Sequence, residues 1–224
     1  MDEEDTAVSF PGTSTGYAYT TTQDNPPDVF TLEAWVRPRA GMPSAAVMAV
    51  WDGSNSGSSY GLYLQGLVPT VFIRAPTGNT TATVAAPAGV SQNAWHHVAF
   101  AYDRGNAVLY VDGDSVAQAT GLPLPKATTV PLRLGADGVA TPAFLTGDLD
   151  EVRIWGSARS AAEIAAALNV RLGPADRAGM RAYWPLAEGI GNTVDVVAGL
   201  VGELGGAVGE SARPAWITDA SPVP

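Results

Sequence analysis

The stretch Trp95-His-His-Val-Ala-Phe-Ala-Tyr-Asp103, followed by Asn106-Ala-Val-Leu-Tyr-Val-Asp-Gly-Asp-Ser-Val116, decides the fold class of this 224-residue chain. The second segment reads as a β-hairpin, because Asp112-Gly113 supplies the positive-φ pair that a two-residue turn requires. Similar short β-rich segments recur on both sides. They are Ala7–Phe10, Tyr17–Thr20, Phe30–Arg37, Ala45–Trp51, Tyr60–Gln65, Thr70–Arg74, Thr80–Val84, Trp95–Tyr102, Ala107–Val111, Ser115–Ala119, Val130–Leu134 and Asp148–Trp155. Gly, Pro, Asn and Asp punctuate them every 8–15 residues or so, the signature of an antiparallel sandwich or barrel.

One helix interrupts the pattern. Ser160-Ala-Ala-Glu163 has the spacing of a capping box, and the Ala-rich run Ala161–Leu168 has high helix propensity, with Gly173 and Pro174 as its stop. Met180–Pro185 and Pro214–Ile217 read as two further β pieces returning to the same body. The expected organisation is therefore one all-β domain over 1–220, with 221–224 beginning a linker. A separate unit of about 50 residues with so few strands would bury too little surface to stand alone.

Composition narrows the function classes. The chain has 25 Gly, 17 Pro and no Cys, which excludes a disulfide scaffold, while 46% hydrophobic residues suffice for a core. Twenty-two acids against twelve bases, of which only Lys126 is lysine, give a net charge of −10. That charge repels phosphate backbones and anionic lipid, so nucleic acid and membrane surfaces are poor partners. No apolar run is long enough for a membrane helix, and Met1–Asp5 has neither the basic nor the apolar region of a signal peptide. The chain is then cytoplasmic or a mature piece of an exported protein. High Ala, with Arg far exceeding Lys, points to a GC-rich bacterial source.

Four stretches resemble the laminin-G-like, concanavalin A-like jelly-roll family shared with pentraxins and bacterial adhesion modules. Phe30-Thr-Leu-Glu-Ala-Trp-Val-Arg37 is similar to an early strand of the family. Trp95–Asp103 with Leu109-Tyr-Val-Asp-Gly113 resembles its central hairpin. Leu145-Thr-Gly-Asp-Leu-Asp-Glu-Val-Arg-Ile-Trp155 with Ala158-Arg-Ser160 resembles the strand and helix start that follow. Met180-Arg-Ala-Tyr-Trp-Pro-Leu-Ala-Glu-Gly-Ile-Gly191 resembles a fourth piece, whose usual Asn-rich sequel is degraded here to Asp195–Glu203. The resemblance implies an all-β jelly-roll sandwich of two antiparallel sheets that binds sugars or proteins, often with a structural calcium.

Asp150 is the most informative acid. In Asp148-Leu-Asp-Glu-Val-Arg-Ile154 a strict period of two puts it on the face of Val152 and Ile154, with Glu151 and Arg153 on the other. A carboxylate there needs hydrogen bonds, an ion pair or a cation. One or two carboxylates suffice for calcium, because backbone carbonyls complete its shell. The resemblance implies that Asp150 and the Gly12 carbonyl share such an ion; the alternative is that backbone N–H groups satisfy Asp150 without metal. Asp148, nearer the strand start, is expected to be exposed.

Other chemistry is sparse. His96 and His97 point to opposite faces of a strand, and with no Cys and no third His they make no zinc site. Gly57-Ser-Ser-Tyr-Gly61 matches a nucleophile-elbow pattern at Ser59, but no His follows 97 and a strand, not a helix, comes next. None of the eight Glu begins the acid pattern of related glycosidases. Trp35, Trp95, Trp155 and Trp184 read as packing residues. Trp51, Asp52, Tyr60 and Tyr63 flank a Gly/Ser-rich loop and are the candidate ligand contacts, although a plain surface loop is the simpler reading. Asn79-Thr-Thr81 fits a glycosylation acceptor, a motif short enough to arise by chance. The sequence thus predicts an exported, non-enzymatic module that recognises carbohydrate or a protein partner, with a structural calcium. Its alternative is a purely structural or protein-interaction domain in a secreted or particle-associated assembly.

Overall fold

The computed structural model describes residues 5–14, 16–23, 28–54, 56–77, 79–138, 143–199, 201–204 and 213–223, with backbone alone for 21–23. The chain opens with ten strands: β1 (Ala7–Pro11), β2 (Ala18–Gln23), β3 (Val29–Pro38), β4 (Ser44–Val50), β5 (Tyr60–Gln65), β6 (Val68–Arg74), β7 (Thr81–Ala85), β8 (His96–Asp103), β9 (Asn106–Val111) and β10 (Asp114–Ala119). They are followed by β11 (Pro131–Leu134), β12 (Thr146–Trp155), the helix α1 (Ala161–Ala167) and a 3₁₀ turn (Pro174–Asp176). The chain then adds β13 (Met180–Trp184), β14 (Thr193–Val194), β15 (Val201–Leu204) and β16 (Ala215–Ile217).

Two antiparallel sheets result. The first runs β10-β9-β8-β3-β12-β1-β16, with β13 also paired to β12; the second runs β14-β15-β2-β11-β4-β5-β6-β7. Every strand read from the sequence is present, and the β9–β10 turn carries Asp112 at φ 52° and Gly113 at φ 88°. β14 and β15 were not expected, because their two to four residues in a degraded segment leave no legible alternation. Strands after the helix join both sheets. The last described residues, expected to begin a linker, are packed instead, with Val223 buried.

Between the sheets lies one continuous core in which Phe30, Phe100, Tyr102 and Tyr60 meet ring to ring. Burial of side chains this large stabilises by about 1.5–3 kcal/mol each. The outer face of the first sheet is covered: Ile164 of α1 packs on Ala99, Ala101 and Tyr110, and Ala167 meets Trp155, Leu172, Met180 and Tyr183. Ser160 caps α1 reciprocally with Glu163, as the sequence predicts. The helix ends at Ala167, ahead of the expected stop, and Gly173-Pro174 instead open the 3₁₀ turn.

A β-bulge in β12 revises the face assignment. Asp150 pairs with Trp35 and Arg153 with Glu33, so β12 carries one extra residue against β3. Glu151 absorbs it at φ 49°. Leu149, Val152 and Ile154 therefore all enter the core, and Asp150 does not share the face of Val152 and Ile154. A period-two reading cannot see a residue that breaks the period. The same bulge divides the strand's partners, with Leu149 pairing to Val8 of β1 and Val152 to Trp184 of β13.

Candidate functional site

Among the described residues no helix lies on the outer face of the second sheet, and its ladder places one row across six strands. Glu203, Tyr19, Arg133, Ala49, Gly61 and Phe72 are successive register partners. Tyr63, two residues along β5 from Gly61, lays its ring over that glycine; a Cβ there would lie 2.4 Å from Tyr63 Cε2. Phe72 meets Tyr63 edge-on at 5.2 Å and Trp51 at 6.2 Å between centroids. The Arg74 guanidinium sits over Trp51 at 5.0 Å, and its Nη1 donates to the Asn79 carbonyl at 2.9 Å. A second aromatic group, Tyr17 with Tyr19 and Phe144, lies beyond Arg133 on the same side.

Polar groups border this platform. Asp137 accepts from the Tyr63 hydroxyl at 3.4 Å and from the Ala143 N–H at 3.2 Å. Burial and the Asp137 charge hold the Tyr63 phenol well above its ordinary pKa, so it remains a donor. The Gly138 N–H donates to the Trp51 carbonyl at 2.6 Å. Asp52 folds its own loop, accepting from the Ser54 N–H and hydroxyl at 2.8 and 2.7 Å. Gly57 follows close against it, where a Cβ would clash with the carboxylate.

Of the four predicted ligand contacts, Trp51 and Tyr63 meet through Phe72, while Asp52 turns into its own loop. Tyr60 is fully buried between the sheets against Phe30. Period two sends Tyr60 and Tyr63 to opposite faces of β5, which the sequence already implied. Phe72, Arg74, Asp137 and Arg133 were missed. Phe72 and Arg74 share an alternation class in β6 and were legible; Asp137 lies in a connection without pattern. Ser59 is fully buried, as no exposed nucleophile is. Trp35, Trp155 and Trp184 are buried, while Trp95 is half-buried beneath the Arg37 guanidinium at 4.9 Å.

The acids of β12 occupy a different place. Asp148, expected to be exposed, is fully buried because Arg37 and Arg39 bind it at 2.7 and 3.0 Å. Glu151 does not reach water either. It accepts from Arg153 at 2.6 Å, from the Tyr183 hydroxyl at 2.6 Å and from Arg171 at 3.2 Å. Asp150 has no guanidinium partner among the described residues; it accepts from the N–H groups of Glu151 at 2.9 Å and Ser221 at 3.1 Å. Burial, then the Glu151 charge, pushes the Asp150 carboxyl up to about 8.

Gly12 is not beside it. The β1–β12 register carries Gly12 past Thr146, whose hydroxyl it packs against, four residues from Asp150, or about 13 Å along the strand. No group of three or more Asp, Glu, His or Cys among the described residues is placed to hold a metal. A single uncompensated carboxylate completed by backbone oxygens still suits calcium. Asp150 supplies one such carboxylate, and Gly12 lies too far along β1 to share an ion with it. His97 is buried 3.7 Å from Glu33, with no hydrogen bond to either ring nitrogen among the described residues.

Two antiparallel sheets packed face to face, one of them carrying α1 on its outer side, make a β-sandwich. The chain belongs to the concanavalin A-like lectin/glucanases superfamily, whose profile matches residues 11–165. A comparison with curated proteins finds no match. Among solved structures it is similar to a candidate carbohydrate-binding protein of Bacteroides ovatus, at 19% identity and TM-score 0.75, over 99% of this chain and 62% of that one. The chain thus spans less than two thirds of that protein. It is also similar to the CBM40 of the Ruminococcus gnavus IT-sialidase bound to α2,3 sialyllactose, at 14% identity and TM-score 0.58, over 70% and 96%. A heptameric SAP-like pentraxin from Limulus polyphemus follows at 14% identity and TM-score 0.57, over 75% and 83%.

Proposed function

We propose that the chain is an exported carbohydrate-recognition module that binds a glycan on the outer face of its second sheet without cleaving it. The observation that carries this reading is the cluster of half-buried Trp51 and Phe72 over buried Tyr63, flanked by Asp52, Asp137 and Arg74, on the outer side of the second sheet. Sugar C–H faces stack on rings, and the bordering carboxylates and guanidinium hydrogen-bond to hydroxyls. Similarity in fold to carbohydrate-binding domains supports it. Glycosidic cleavage needs a free pair of carboxylates, whereas Asp148 and Glu151 are bound by arginines.

Calcium belongs to the proposal as a structural ion at Asp150. The ion would supply positive charge beside a carboxylate that no arginine reaches. Its role is to fix the chain termini on β12, away from the ligand face. Export is proposed together with the glycan and calcium, both abundant outside cells; no helix among the described residues is long and apolar enough to cross a membrane.

A glycan array probed in calcium tests the reading. Signal on a defined glycan set that disappears in Trp51→Ala is expected. Silence across sulfated, sialylated and plant-type glycans overturns it. One observation favours protein interaction instead: Ile190, Val194, Val196, Val197 and Val201 are exposed together around the edge strand β14. A silent array with concentration-dependent pull-down through that patch is the outcome for that second reading.

A further inference from the structure

We propose that Ser91, His96 and Asp112 form a Ser-His-Asp catalytic triad beside a small apolar cavity, and that the chain hydrolyses short-chain acyl esters there. The site lies at the edge of the sandwich, where the chain leaving β7 meets the β8–β9–β10 meander, and is independent of the glycan-binding reading. Ser91 Oγ is 2.7 Å from His96 Nε2, and His96 Nδ1 is 2.8 Å from Asp112 Oδ2. These are the nucleophile–base and base–orienter distances that acyl transfer requires.

The tautomer is fixed by a third contact. The Ser91 backbone N–H also points at His96 Nε2, at 3.2 Å. A backbone N–H can only donate, so Nε2 carries the lone pair and Nδ1 carries the proton. The imidazole is therefore set to take the Ser91 proton while Asp112 holds its other side. Asp112 is itself anchored: its Oδ1 accepts from the His97 N–H at 2.8 Å, and its own N–H donates to the His97 carbonyl at 2.8 Å. The positive-φ turn thus places the carboxylate as well as the hairpin. Sequence reading missed the set because Ser91 stands in no nucleophile motif and Asp112 is fully accounted for by its turn.

All three side chains line one cavity of about 330 Å³, whose remaining wall includes Ala86, Pro87, Val90, Val111 and Val116. Such a wall accepts a short alkyl chain and offers nothing to a charged group. In the reaction, Ser91 Oγ bonds to the ester carbonyl carbon as its proton passes to His96 Nε2. The ester C–O bond breaks, and His96 returns the proton to the departing alcohol. Water, deprotonated by the same nitrogen, then releases the acyl group as a carboxylic acid and restores Ser91. No oxidant, metal or cofactor enters the balance.

Two nearby N–H groups are already committed, that of Ser91 to His96 and that of Asn93 to the Pro38 carbonyl. An oxyanion donor lost typically lowers turnover by about 10²–10³-fold. Acylation and deacylation both pass through an oxyanion, so both steps are slow.

The test uses the full chain with a fluorophosphonate and with p-nitrophenyl acetate. One phosphonyl adduct located on Ser91 by peptide mass, and nitrophenolate release that falls at least about tenfold in Ser91→Ala and His96→Gln, is the expected result. Melting curves of both variants, and of the near-isosteric Ser91→Cys, establish that each is folded. Absence of the adduct in the wild-type chain overturns the proposal. So does release from folded Ser91→Ala equal to that of the wild type.

Discussion

Asp150 and Glu151 are adjacent on β12, yet Arg153 and Arg171 both bind Glu151 while neither binds Asp150. The bulge at Glu151 creates this inequality by turning two consecutive carboxylates out of the core. One is neutralised. The other is buried beside a negative charge, with the Glu151 and Ser221 N–H groups for support among the described residues.

The first prediction concerns pH in chelator. The Asp150 carboxyl is pushed up to about 8 in the folded chain, above the ordinary value of 3.8 that it has when unfolded. The folded state then holds the proton more tightly, so this contribution is full below pH ~4 and is lost as pH rises through ~8. The slope is at most about 1.4 kcal/mol per pH unit. Melting temperature in EDTA should fall between pH 5 and 8, and Asp150→Asn should flatten that fall. Calcium should raise the wild-type Tm at pH 8 and leave Asp150→Asn unmoved. Identical Tm with calcium and with chelator removes the ion from the account.

Arg153 joins β12 to the end of α1. Its guanidinium, itself fully buried, bonds Glu151, the Ala167 carbonyl at 2.8 Å and the Val170 carbonyl at 2.6 Å. Removing one partner of a buried pair costs about 3–5 kcal/mol. Arg153→Met should therefore lower Tm by roughly 10 °C for a domain of this size. A shift under 2 °C would mean that Arg171 and Tyr183 satisfy Glu151 alone.

The Tyr63 ring depends on the absence of a side chain at Gly61. A methyl there would stand 2.4 Å from Tyr63 Cε2 and 3.1 Å from the Ala49 methyl. Gly61→Ala should displace the ring, break its bond to Asp137 and cost about 1–3 kcal/mol. Near-UV circular dichroism and Tm report both effects. An unchanged tyrosine signal would show that the ring needs no such space.

Much of this was legible in the sequence. The strands were, because alternation and turn residues are local signals, and Asp112-Gly113 marks its hairpin in the sequence alone. The platform was partly legible, since Trp51 and Asp52 flank a visible loop. Tyr60 failed because loop proximity was weighed above strand phase. Asp148 and Asp150 were misplaced for a physical reason. Burial of an acid depends on the arginines brought across strands, here Arg37 and Arg39, and a bulge shifts the phase after it. Neither is written in a single strand. The triad was illegible because its three members come from a loop, a strand and a turn that only the fold brings together.

Glycan recognition at the Trp51 platform is the central claim, and calorimetric titration of an array-positive glycan into wild-type and Trp51→Ala chains, both in calcium and matched in Tm, tests it most directly. The account predicts measurable heat with saturation for the wild type and at least a tenfold weaker affinity for Trp51→Ala, about 1.4 kcal/mol or more. Equal affinities for the two chains would contradict it.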